Sequence, residues 1–151
     1  MGIEHFKMKK LLGIMVCGLL LSGNAYAFPF TKLQEYLSTN SAEDPSITIY
    51  TFNRCAALSQ FVSAISYERD KSLADKYQKR QFAFLMSAAK LHMDLFNVSE
   101  DKAIADLTKA QKEMAMLYME EGNSSYVKTG SHLNSSINSD RAICDNFGKN
   151  K

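Results

Sequence analysis

The 151-residue sequence lacks the short patterns that announce common catalytic or cofactor chemistry. H-E-x-x-H, C-x-x-C, C-x-x-C-H, G-x-S-x-G and a glycine-rich phosphate loop are all missing. Attached haem of the c type is excluded by that list. Histidine is scarce, at three residues, so ligand and base chemistry has few carriers. No nucleophile, base and orienting group can be proposed together, and the chain is expected not to be an enzyme. No cofactor and no metal are expected. There is also no internal repeat, no second domain and no long linker.

A usable charge excess is missing too. The formal net charge of +2 resides in the first ten residues, where Lys7, Lys9 and Lys10 oppose Glu4. The chain beyond Ala27 has fifteen basic and fifteen acidic residues. A neutral surface has no electrostatic drive toward phosphate backbones or anionic lipid, so nucleic-acid binding is not expected.

The longest apolar run, Leu11–Leu21, has eleven residues, about half of what a spanning helix needs to cross the hydrocarbon core. What surrounds it is informative. Lys9 and Lys10 precede it, Ser22, Gly23 and Asn24 break it, and Ala25-Tyr26-Ala27 follows. That order of charge, apolar core and A-x-A is a signal-peptide pattern of bacterial type, with cleavage expected after Ala27. Residues 1–27 are therefore read as a cleaved leader and residues 28–151 as a single helical domain. Met1–Lys7 precede a complete leader that could itself start at Met8. Cys17 follows Val16 rather than a small residue, which argues against a lipid-modified cysteine. The expected location is periplasmic or secreted, with no stable membrane insertion once the leader is gone.

Removing Cys17 leaves Cys55 and Cys144. An exported pair in an oxidising compartment reads as one intramolecular disulfide. Its loop of about 90 residues is worth roughly 4–5 kcal/mol in the chain-entropy model.

Apolar spacing points to an all-α fold, a small up-down bundle of about four helices stapled by that disulfide. Thr31 could cap a short lead-in helix through Leu33, Tyr36 and Leu37. Asp44-Pro45 opens the next helix, expected to reach Glu68. Its first turns, Ser46–Phe52, are β-branched and aromatic and could pass for a strand, but no later segment offers a partner. Ser72 with Asp75 resembles a capping box for a helix ending near Asn97. Ser99 caps a third helix whose stripe is Ala103, Leu107, Ala110, Met114 and Leu117, with Gly122 as its stop. Nine of the eighteen residues 123–140 are Ser or Asn, so a loop to Gly130 and a weaker helix to Phe147 are expected. In an up-down bundle the first and fourth of these helices are neighbours, which brings Cys55 and Cys144 to similar heights.

Two residues are candidate ligand contacts. Asp140 falls on the inward side between Ile137 and Cys144, and a buried carboxylate there requires a partner, a helix N-terminus or Arg54. His92 lies at the edge of the Leu91 stripe. Five methionines between Met86 and Met119 invite a copper reading. However, Met114, Met116 and Met119 diverge around a helix, and adaptable core filling explains them better.

These features lead to an expected function. The chain reads as an exported, non-catalytic module that binds one envelope or secreted protein. The alternatives are an immunity protein or inhibitor against an exported toxin or hydrolase, or a carrier of a small apolar ligand or metal.

Overall fold

Five helices and no strand make up the described part of the chain, residues 31–149 of the computed structural model. The leader and its cleavage after Ala27 lie outside those residues. The helices are α1 (Leu33–Thr39), α2 (Pro45–Ser66), α3 (Lys71–Phe96), α4 (Glu100–Thr129) and α5 (Ser135–Lys149). They are the expected bundle of four long helices plus the short lead-in. No helix among the described residues is long and apolar enough to cross a membrane.

The ambiguous Ser46–Phe52 stretch is helical, and its start has a clear cause. Asp44 Oδ1 accepts from Ser46 N at 2.9 Å and from Ser46 Oγ at 2.7 Å, while Pro45 supplies a pre-set first turn. Thr51 Oγ1 turns its hydroxyl back onto the carbonyl of Ile47 at 2.7 Å. The strand-like composition reflects position. From Asn53 to Ser59 every residue of α2 is buried, so the helix is enclosed all round and shows no single apolar stripe. It is the central rod, packed against α3, α4 and α5.

Two expected helix boundaries are corrected. Asp70, not Ser72, caps α3, with Oδ1 accepting from Leu73 N at 2.9 Å. Gly122 does not stop α4. The helix runs on to Thr129 and closes at Gly130, whose φ of 75° is left-handed and whose N–H donates to Tyr126 O. Gly122 is instead a contact point, since a Cβ there would stand 2.6 Å from the Phe61 ring. At the other ends of these helices the expectations hold. Ser99 caps α4 through Lys102 N, Asn97 takes the left-handed conformation that closes α3, and α2 ends at Ser66, two residues short of Glu68.

The inward stripe of α4 is also rotated from the expected one. Ala103 and Leu107 are buried as expected, but the line continues through Gln111, Ala115, Tyr118, Gly122 and Ser125. Ala110, Met114 and Leu117 are only partly buried. The buried line includes polar side chains that hydrogen-bond onto α2. Gln111 Nε2 donates to Gln60 Oε1, and Tyr118 receives Arg54 Nε. An apolar count cannot see such positions, and so it selects their flanks.

At the α3–α4 turn, Ile49, Ala88, Ala89, Ala103 and Leu107 form a buried cluster, walled by Phe52, Leu85, Leu91, Met93, Val98 and Ile104. The three alanines let the backbones of α2, α3 and α4 approach closely. Cys55 and Cys144 are bonded, with Cα atoms 5.5 Å apart. Phe52 meets Phe147 edge-on nearby, at 5.9 Å. From Cys55–Cys144 to Phe52–Phe147 the contacts run backward along α2 and forward along α5, so the two helices are antiparallel neighbours.

Candidate functional site

Asp140 is the residue around which the polar interior is organised. It projects from α5 one turn before Cys144 and is 2% exposed. Its Oδ1 accepts from the backbone N–H of Leu33 at 2.7 Å. Its Oδ2 accepts from Arg54 Nη2 at 2.5 Å and from the Tyr118 hydroxyl at 2.7 Å. Both partners named from sequence are thus present at once, because Leu33 is the first residue of α1 and Arg54 lies on α2. The lead-in helix has no side-chain cap from Lys32 or Thr31. Its cap comes from residue 140, at the far end of the chain.

The cluster closes on itself. Arg54 Nε donates to the Tyr118 oxygen at 2.9 Å, and Nη1 donates to the Tyr50 hydroxyl at 3.2 Å. Tyr118 therefore accepts from the guanidinium while it donates to the carboxylate. Tyr50 in turn sits against the Tyr36 ring at 4.4 Å. One carboxylate so joins α1, α2, α4 and α5.

The electrostatics follow from this packing. Burial alone would lower the Arg54 guanidinium, but Tyr118 and Asp140 outweigh it and hold the group above its ordinary range. Burial pushes the Tyr118 phenol well up, against the pull of Arg54 and with the help of Asp140. Chemically the trio is a tie. Its members bond one another, Tyr50 and the Leu33 N–H, and both oxygens of Asp140 are engaged.

His92 lies elsewhere. Its side chain is 17% exposed between α3 and α4, with Nε2 3.8 Å from Asp106 Oδ2 and the ring 4.6 Å from Phe96. Asp106 also takes Lys102 Nζ at 2.5 Å, and that hydrogen bond holds its carboxyl below the usual range. Among the described residues His92 meets Asp106 and Phe96, whereas Asp140 meets Leu33, Arg54 and Tyr118, so the two have no hydrogen-bond, ion-pair or ring partner in common. The methionines do not converge either. Met93 packs on the core cluster, Met116 is largely exposed, and Met86, Met114 and Met119 are half-buried. Among the described residues no group of three His, Cys, Asp or Glu could hold a metal ion.

Two participants escaped the sequence reading, Tyr118 and Tyr50. Tyr118 was findable, because it lies seven residues after Gln111 and eleven after Leu107, on one helical face. A second ion pair also went unforeseen. Arg80 of α3 bonds Asp145 of α5, with Tyr77 adding its hydroxyl at 3.4 Å. Burial and the Asp145 charge hold the Tyr77 phenol above its ordinary value.

Compared with protein-family models, with curated proteins and with solved structures, the chain matches none.

Proposed function

We propose that the chain is an exported, non-catalytic binding module that docks on one protein or envelope component. One observation carries this reading. The groups best suited to chemistry, Arg54, Tyr118 and Asp140, are consumed in tying helices together, while large apolar side chains stand outward. Tyr67, Phe82, Phe96, Met116 and Val127 are each more than half exposed. Single exposed apolar residues are common on any surface, so their number matters less than their coexistence with a sealed polar interior.

The Cys55–Cys144 bridge supports the periplasmic or secreted location, since thiols of the reducing cytosol are rarely paired for structure. The module then presents a rigid, stapled helical surface to its partner.

The test is affinity capture from envelope extracts with the intact exported chain, scored for stoichiometry. One partner retained at a fixed ratio is the expected outcome. Turnover of any substrate class by the purified chain, or the absence of a retained partner, would overturn the reading.

A further inference from the structure

Of the seven residues of α1 only Leu33 is buried. Gln34, Glu35, Ser38 and Thr39 are exposed, and Tyr36 and Leu37 are half-buried. The polar side chains at its end bond within the helix, the Ser38 and Thr39 hydroxyls to Glu35 O and Asn40 Nδ2 to Tyr36 O. Among the described residues α1 takes part in no ion pair. Three contacts hold it: the enclosed Leu33 side chain, the Leu33 N–H on Asp140 Oδ1 at 2.7 Å, and the Tyr36 ring against Tyr50. We propose that α1 is a detachable latch, which opens while the four long helices stay folded, and that the seat it leaves takes the start of a helix from the module's partner. The seat rests on the binding-module reading; the latch does not.

Each side of the contact is complete without the other. α2 does not need α1, because Asp44 Oδ1 caps it locally through Ser46. The connecting residues 41–44 are exposed and carry a single backbone turn bond, from Asp44 N to Ser41 O. Asp140 does not need α1 either. Its Oδ2 keeps Arg54 Nη2 and the Tyr118 hydroxyl, and Cys144, one turn on, stays bridged to Cys55. Opening therefore gives up one cap bond, one ring contact and the burial of one leucine, and no other described tie. A helix of seven residues does not hold its shape alone, so α1 is ordered when docked and unwinds when released. Openings of this local kind lie below global unfolding in free energy.

The chemistry of the seat selects its occupant. It offers a carboxylate oxygen, fixed through Arg54 and Tyr118, beside the enclosure that holds Leu33 at 0% exposure. An anion would meet the charge of Asp140, and a cation would meet the guanidinium of Arg54. A bare hydrocarbon would leave the carboxylate oxygen unpaired. The first turn of a helix satisfies all three conditions. Its N–H groups lack intrahelical partners, its dipole favours a carboxylate, and an apolar first residue fills the enclosure. α1 displays that complement in its own Leu33.

Native-state hydrogen exchange on the intact exported chain tests the latch. The Leu33 amide is expected to exchange at least about tenfold faster than the buried amides of α2. Exchange in step with α2 overturns the latch. The seat is tested with a peptide of residues 31–40, acetylated and amidated, titrated into the Leu33→Ala chain. The Tyr118 ring protons and the Asp140 amide are followed by NMR. Saturable shifts are expected, and binding about tenfold weaker for the same peptide carrying N-methylleucine at position 33, which keeps the side chain and removes the donor. No saturable shift, or equal binding of the two peptides, overturns the seat. Leu33→Ala should also retain more partner from envelope extracts than the parent chain, since its seat is open more of the time. Equal retention places the partner elsewhere, which overturns the seat and leaves the binding-module reading intact. Retention of no partner by either chain overturns that reading, with the latch still decided by exchange and the seat by the peptides.

Discussion

Arg54 and Asp140 meet at 2.5 Å, and each stands beside one half of the Cys55–Cys144 bridge. Arg54 precedes Cys55 by one residue, and Asp140 precedes Cys144 by one turn. The covalent and ionic ties between α2 and α5 are thus adjacent, and each limits the freedom of the other. The pair should behave asymmetrically on mutation. Asp140→Asn leaves a buried guanidinium without its counter-charge and should cost about 3–5 kcal/mol. Replacing both residues by apolar ones, Arg54→Met with Asp140→Leu, should recover much of that loss. Urea midpoints of the three proteins check this. A single variant no less stable than the double would show that the ion pair is not what the site requires.

Removing the bridge should loosen particular elements rather than the whole. α2, α3 and α4 pack extensively on one another, whereas α5 touches chiefly α1 and α2. A closed loop spanning 89 residues is worth about 4–5 kcal/mol if the entropic account holds, and less if the reduced chain retains structure. In Cys55→Ala with Cys144→Ala, hydrogen exchange should accelerate first in α5 and α1, because α1 takes its cap from Asp140. Uniform acceleration across all five helices would contradict that hierarchy.

Much of this was legible in the residues. Asp44-Pro45, Ser99 and the two late cysteines carry local or pairwise signals, and the structure places helix starts and a bridge there. Asp140 was legible because a carboxylate between Ile137 and Cys144 must be satisfied. The rest was hidden for physical reasons. α2 is enclosed on all sides, so its periodicity is erased just where its composition resembles a strand. The α4 face is defined by Gln111 and Tyr118, whose burial depends on partners more than 50 residues away. Gly122 was misread as a stop because the sequence does not reveal that Phe61 fills the space beside it. The α1 cap comes from a residue 107 positions away, which no local rule can supply.

Gly122 inside α4 and Gly130, which closes it, should respond differently to alanine. At Gly122 a new Cβ would meet Phe61 Cζ at 2.6 Å. Phe61 is 1% exposed and stacks on Tyr118, so moving it disturbs the Asp140 cluster. Overpacking of this kind should cost about 1–3 kcal/mol, outweighing the usual gain from alanine in a helix. At Gly130 there is open space, but φ is 75°, and the cost should be about 1 kcal/mol from backbone strain alone. Thermal unfolding should rank Gly122→Ala below Gly130→Ala, and a second substitution, Phe61→Leu, should relieve the first but not the second.

Alkaline pH should weaken the fold through Tyr118. Burial holds its phenol well above the ordinary value of 10.0, which it regains on unfolding. Between those two values the folded chain keeps a proton that the unfolded chain has lost. Stability is therefore fully present below about pH 10 and falls as pH rises above it. Tyr36 and Tyr77, also raised, act in the same direction. Tyrosinate absorbance should show Tyr118 ionising only together with unfolding. Tyr118→Phe should be less stable at pH 7 by about 1–3 kcal/mol, because Arg54 Nε and Asp140 Oδ2 each lose a partner. The same variant should lose less stability between pH 9 and about pH 11 than the parent chain, since one raised phenol is gone. An unchanged alkaline slope would mean that Tyr118 is not the group that titrates there.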